Sequence, residues 1–98
     1  MKKLLPIYSN QKSFYKKAYY IDENDNTTLY SYNTKILNLN TSCNKCIITF
    51  YKYGKHSKTT NKHILEFLKQ NYLNDKILKL AYKDAKAVKE TITKEYNN

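Results

Sequence analysis

The sequence predicts an α+β fold, a three-stranded antiparallel meander followed by two helices (βββαα), and three observations lead there. β-Branched and aromatic residues crowd the first half of the chain, the composition that strands favour. From position 59 onward apolar residues recur at helical spacing instead. Finally, 98 residues with one Gly and one Pro leave room for one core and no long linker, so residues 1–98 are expected to form a single domain.

The first strand is predicted within residues 12–21, where Phe14, Tyr15, Tyr19, Tyr20 and Ile21 precede the turn-forming cluster Asp22, Glu23, Asn24, Asp25 and Asn26. In the second extended stretch, residues 27–39, Tyr30, Tyr32, Thr34 and Ile36 share one parity while Leu29, Leu37 and Leu39 share the other. One residue of slip sends every side chain to the opposite face, so this change of parity requires a bulge or a break into two short strands. Residues 41–45 are polar and turn-prone, and residues 46–53 read as the cleanest strand of the chain. Turns this short join neighbours antiparallel.

The first helix is predicted over about 59–71, with Ile64, Leu65, Phe67, Leu68 and Tyr72 on one stripe and Thr59 or Thr60 as its N-cap. A break at residues 71–75 offers a fresh cap at Asn74 or Asp75. The second helix, about 75–95, aligns Leu78, Ala81, Ala85, Val88, Ile92 and Tyr96 on one face. At about 100° per residue, Lys76, Lys79, Lys83, Lys86 and Lys94 fall opposite, so its wet face is basic.

Eighteen basic residues against eight acidic ones give a formal net charge of +10. Every basic residue is Lys, and Lys, Asn, Tyr and Ile fill half of the chain. Those four have A/T-rich codons, so two origins of the charge stay open: compositional bias, or a basic surface selected to meet a polyanion. Without Arg there is no planar fork for guanine edges, which points away from base-specific reading and leaves diffuse, salt-sensitive attraction to phosphates. One Gly cannot build a Gly-rich phosphate loop, and two Cys make neither a disulfide framework nor a four-thiolate zinc site. After Lys2 and Lys3, the apolar run Leu4, Leu5, Pro6, Ile7 is too short for a secretory signal, and no run approaches the roughly 18 apolar residues of a membrane span. The expectation is a protein of a bacterial cytoplasm with reduced thiols and no membrane partner.

Three segments carry a resemblance: Ser13, Phe14, Tyr15, Lys16, Lys17, Ala18; then Leu29, Tyr30, Ser31, Tyr32, Asn33, Thr34; then Ser57, Lys58, Thr59, Thr60, Asn61, Lys62, His63, Ile64, with Phe67, Gln70 and Asn71 beyond. In order and spacing they resemble the motifs S-F-Y-G-K-A, L-x-S-Y-x-T and S-x-T-T-x-x-H of a family of small proteins carried by phages, plasmids and other mobile elements of bacteria. Lys16 stands where that pattern has Gly, and Lys55 and His56 insert charge before the third motif. The resemblance covers roughly residues 10–72 and implies a setting, cargo of a mobile element, but no mechanism.

The residues at the start of the first helix, Lys55, Ser57, Lys58, Thr59, Thr60, Lys62 and His63, form one candidate site. Free N–H groups, hydroxyls and lysines at a helix N-terminus suit a phosphate or an acidic partner, while capping plus solvated lysines is the bland alternative. Lys76, Lys79, Lys83 and Lys86 on the second helix are a second candidate surface. Tyr15, Tyr30, Tyr32, Tyr51 and Tyr53 are candidates for stacking on unpaired bases or for a protein interface, framed by Lys16, Lys17, Lys35 and Lys52; the alternative is that they fill the core. Cys43 and Cys46 form C-x-x-C, with His56 and His63 after them. Nine residues separate Cys46 from His56 and six separate the histidines, where a zinc finger wants about twelve and three to five, so no metal site is predicted. Nor does a catalytic set assemble around Cys46, Ser57, His56 or His63, because Glu66, Asp75, Asp84, Glu90 and Glu95 read as solvated helix positions.

No enzyme activity and no cofactor are therefore expected. The leading expectation is a small basic binding protein of a phage or mobile element that occupies the surface of a host protein or nucleoprotein complex, as an anti-CRISPR-like inhibitor of host defence. The alternative is an accessory protein that binds RNA or single-stranded DNA directly.

Overall fold

The computed structural model describes residues 1–42, 45–53 and 57–97. Its backbone is organised by one antiparallel sheet in the order β1-β2-β3-β4-β5-β6, formed by β1 (Lys2–Lys3), β2 (Ala18–Glu23), β3 (Asn26–Ser31), β4 (Thr34–Ser42), β5 (Lys45–Phe50) and β6 (Ile92–Asn97). Helices α1 (Lys58–Gln70) and α2 (Asp75–Lys86) lie between β5 and β6 in the chain. The class is α+β as predicted, but the three-stranded βββαα arrangement is overturned by a six-stranded sheet that the chain re-enters after its helices.

Each departure has a physical cause. The parity conflict in residues 27–39 is resolved in both ways at once. A two-residue turn with Tyr32 and Asn33 at φ 52° and 65° separates β3 from β4, the left-handed pair that tight hairpins use. The register also shifts between Leu29, opposite Leu37, and Tyr30, opposite Lys35, so Ile36 and Leu37 both turn inward. The first strand begins at Ala18 because Tyr15 and Lys16 take φ 50° and 60° and the Lys17 N–H closes a turn onto the Phe14 carbonyl at 2.8 Å. β1 is too short to leave a periodic signal, its two residues pairing with Tyr20 and Tyr19.

The largest correction is at the C-terminus. α2 stops at Lys86, and the predicted helical stretch to 95 instead turns and pairs with β5, Ile92 opposite Phe50 and Tyr96 opposite Cys46. The β-branched run Thr91, Ile92, Thr93 disfavours helix, and pairing covers the edge that β5 would otherwise expose. The Tyr96 hydroxyl donates to Asp84 Oδ2 at 2.7 Å, tying the strand back to α2.

One sheet face is dry. Leu29, Leu37, Leu39, Ile48 and Phe50 pack against Ile64, Phe67 and Leu68 of α1 and Ile77, Ala81 and Ala85 of α2. Residues of the other parity, among them Tyr19, Ile21, Thr28, Tyr30, Asn38 and Thr49, are half-exposed, the pattern of an antiparallel sheet solvated on one side.

Both helices are capped by side chains. At α1 the cap is Ser57 and not Thr59 or Thr60: its Oγ accepts the Thr60 N–H at 3.0 Å and its carbonyl accepts the Asn61 N–H at 3.1 Å. At α2, of the two expected caps Asn74 and Asp75, Asn74 is the one used, its Oδ1 accepting the Ile77 N–H at 2.9 Å.

Candidate functional site

The up-and-down order of the strands sorts the loops into two ends. The Asn24–Asp25 turn lies at one end with Asp22 and Glu23, which are exposed. At the other end lie the Tyr32–Asn33 turn, the loop holding Tyr15, Lys16 and Lys17, residues 51–53 after β5, and the N-terminus of α1. One backbone bond joins the Tyr32–Asn33 turn to the loop, Tyr32 N–H to the Lys17 carbonyl at 2.8 Å, and another holds residue 51 to β4, Tyr51 N–H to the Ile36 carbonyl at 2.9 Å. Three of the eight acidic residues are thus held at one end, while Lys16, Lys17, Lys35, Lys52 and Lys58 stand exposed at the other.

Between them, on the helix-covered side, opens a pocket of about 420 Å³ lined by Ser31, Tyr32, Thr34, Ile36, Tyr53, Ser57, Thr59 and Thr60. Seven of these eight side chains carry a hydroxyl, and the first-turn amides of α1 border the same space, so the pocket is rich in hydrogen-bond donors. Lys17 Nζ lies 5.4 Å from the centroid of the Tyr32 ring, and Lys35 Nζ lies 5.0 Å from that of Tyr51, both within cation–π range. None of the five lysines makes a salt bridge among the described residues; the three such pairs are Lys2–Asp22, Lys45–Glu95 and Lys94–Asp84.

Beneath the pocket a chain of polar side chains runs inward. Ser57 Oγ donates to Thr60 Oγ1 at 3.1 Å, Thr60 Oγ1 and Ser31 Oγ are 3.1 Å apart, and Ser31 Oγ lies 2.8 Å from His63 Nδ1. The His63 ring is fully buried, stands edge-on to Phe14 with centroids 4.6 Å apart, and finds no hydrogen-bond partner for Nε2 among the described residues. Burial lowers its pKa to about 4. A Ser–His pair invites a nucleophilic reading, but the base in such a pair is oriented by a third group and titrates near working pH. Among the described residues no third group orients His63 and its pKa lies below neutral, and these linked side chains pack beneath the start of α1. Burial likewise pushes the Cys46 thiol up, away from the reactive thiolate.

The structure therefore gathers Ser57, Thr59, Thr60, Tyr32 and Tyr53 into one pocket, with Lys58 exposed beside it. Lys62 is exposed further along α1, and His63 is interior. Lys76, Lys79, Lys83 and Lys86 do form the exposed face of α2, whereas Lys94 belongs to β6 and pairs with Asp84 at 3.1 Å. The tyrosines divide among several surfaces: Tyr15 is 74% exposed on its loop, Tyr30 and Tyr51 lie on the open sheet face, and Tyr32 and Tyr53 face the pocket. Lys55, His56 and Cys43 lie outside the described residues. Among the described residues no group of three or more His, Cys, Asp or Glu could hold a metal ion, and no helix is long and apolar enough to cross a membrane.

Glu66 is the residue that sequence reasoning misplaced most. It is buried, and its carboxylate accepts N–H bonds from Ser9 at 2.8 Å and Tyr8 at 3.0 Å as well as the Gln70 side-chain amide at 2.7 Å. Burial alone would raise its pKa, but these donors, with the backbone at Ile7, outweigh it and hold the carboxyl below its ordinary value. Gln70, four residues on, was the only hint in the sequence.

Fold and site together define a small α+β protein with one sheet face covered by helices, one face bare, and a basic, tyrosine-bearing end. The sequence profile of a family described as "Family of unknown function (DUF8033)" matches residues 2–85, and the chain belongs to that family. No curated protein and no solved structure matches it.

Proposed function

We propose that this chain is a non-enzymatic nucleic-acid-binding accessory protein of a bacterial mobile element, working in the cytoplasm. The mobile-element setting rests on the three-motif resemblance. The observation that carries the binding role is the uneven distribution of charge along the strands: exposed Lys16, Lys17, Lys35, Lys52 and Lys58 outnumber Glu90 at the Tyr32–Asn33 end, and Asp22, Glu23 and Asp25 lie at the other, where Lys2 pairs with Asp22. A cationic end with aromatic rings under its lysines attracts phosphates and offers bases a surface, and it does so without sequence readout because every cation is Lys.

The test is fluorescence anisotropy with a labelled oligonucleotide, comparing Lys17→Gln/Lys35→Gln/Lys52→Gln with Lys76→Gln/Lys79→Gln/Lys83→Gln. The first triple is expected to weaken binding far more than the second, at equal net charge. Equal effects would mean that total charge, and not this end, does the binding. A second reading, occupancy of a host defence nucleoprotein, is favoured by the 74% exposed Tyr15 ring, a rigid aromatic of the kind that anchors protein interfaces. Retention of the tagged protein on a purified host complex after nuclease digestion supports that reading, and loss of retention supports the first.

A further inference from the structure

The bare sheet face carries a row of side chains that the pocket does not account for. In the strand register Lys3 of β1 lies opposite Tyr19 of β2, Tyr19 opposite Tyr30 of β3, and Tyr30 opposite Lys35 of β4. Lys35 in turn reaches over the ring of Tyr51, just past β5, at 5.0 Å. Cation, ring, ring, cation and ring thus follow one another across the sheet, at right angles to the strands. With neighbouring strands about 4.8 Å apart the row is roughly 19 Å long.

Three features make this a surface and not packing. The parity that points Ala18, Leu29 and Ser31 into the core points Tyr19 and Tyr30 away from it, and Tyr19, Tyr30 and Tyr51 are half-exposed while Lys3 and Lys35 are exposed. Neither lysine is in a salt bridge among the described residues. The next row along the same face is neutral and self-satisfied: Asn38 Nδ2 donates to Thr28 Oγ1 at 2.9 Å, and the Thr49 and Thr93 hydroxyls share a bond of 2.9 Å. Among the described residues, the rings and the lysines outside salt bridges gather in the row that borders the basic end, while toward the other end the same face carries Glu23 and the Lys45–Glu95 pair.

We infer that this row is the track of a single-stranded nucleic acid, RNA or DNA, which crosses the bare face perpendicular to the strands with bases on Tyr19 and Tyr30 and phosphates near Lys3 and near Lys35, which Tyr51 supports from beneath. The inference rests on the proposed nucleic-acid reading and deepens it by naming the ligand's form and path. Rings exposed in a row can stack only on bases whose faces are free, and a duplex hides those faces. Stacking accepts any base and Lys contacts any phosphate, so the track is tolerant of sequence. A sheet of this width seats about two or three bases.

The experiment measures anisotropy of labelled dT15, rU15 and a 15-base-pair duplex with the wild-type chain, Tyr19→Ala/Tyr30→Ala, Tyr19→Phe/Tyr30→Phe and Lys3→Gln/Lys35→Gln. Each lost ring is expected to weaken binding to dT15 and rU15 roughly tenfold, the Phe pair is expected to bind like wild type, and duplex affinity is expected not to change between the Ala and Phe pairs. The lysine pair, which leaves every ring in place and serves if the Ala pair does not fold, is expected to flatten the single-strand salt slope by about 1.4. Wild-type binding that the Ala and lysine pairs leave intact, or duplex binding as tight as dT15 binding, overturns the track while the broader nucleic-acid reading stands. No binding of any oligonucleotide by the folded wild type overturns both.

Discussion

Acidifying the protein from pH 7 to pH 5 is expected to remove about 2 kcal/mol of stability, and the loss traces to one side chain. His63 is fully buried among Phe14, Ser31 and Thr60, and its pKa falls from 6.5 to about 4 because burial penalises the charged ring. Between those values the unfolded chain takes up a proton that the folded chain refuses, so stability is full above pH 6.5, falls as pH drops through the window, and is lost to its full extent below about pH 4. One pKa unit corresponds to about 1.4 kcal/mol, which gives about 2 kcal/mol by pH 5. For a domain of this size that lowers the thermal midpoint on the order of 10 °C. Glu66 does not compete in this window: its folded pKa lies below the ordinary 4.5, so its contribution falls away only at lower pH. The assay is urea denaturation at pH 7, 6 and 5 for the wild type, His56→Ala and His63→Phe. Comparing slopes against pH cancels whatever the Phe substitution costs in absolute terms. A slope in His63→Phe as steep as in the wild type would show that the burial argument is wrong.

The remaining expectations are structural. Glu66→Gln keeps the shape but loses the charge that holds the Tyr8 and Ser9 amides, so it is expected to destabilise by about 2 kcal/mol and to speed hydrogen exchange at those two amides first. Ser57→Ala removes the α1 cap and is expected to cost about 1 kcal/mol, whereas Thr59→Ala should stay within about 0.5 kcal/mol; chemical denaturation would reveal a reversal. Tyr72 sits at φ 57° and is 87% exposed, so Tyr72→Gly is expected to relieve the left-handed strain and stabilise by about 1 kcal/mol, seen as a rise in thermal midpoint. Lys16→Gly, at φ 60°, should act in the same direction.

Much of the helical half was legible because its signals are local. The stripe Ile64, Phe67, Leu68 marks α1 within a residue at each end, and Asn74 announces its own cap. The parity conflict around Tyr30 to Leu37 was legible as well, although only the structure shows that both a turn and a bulge resolve it. The fold of the C-terminus was not, and the reason is arithmetic: Ile92 and Tyr96 are four apart, a spacing that satisfies the helical period and the strand period alike. What decides between them is the open edge of β5, a tertiary fact. Glu66 and His63 were misread or underread for a related reason. Each is buried by a segment distant in sequence, the strap at Tyr8 and Ser9 for one and Phe14 with Ser31 for the other, and no periodicity records that. The candidate tyrosines were identified by type, but the row they form depends on cross-strand register, which brought in Tyr19 and Lys3 and sent Tyr32 and Tyr53 to the other side.

The most direct measurement of the central claim is a salt titration of dT15 binding by the wild-type chain, from 50 to 300 mM monovalent salt. Contact of about four lysines with phosphates predicts that log Kobs falls linearly with log salt with a slope near −3. A slope near zero would contradict the account, because a ligand held without displacing counterions is not held by the lysines gathered at this end of the sheet.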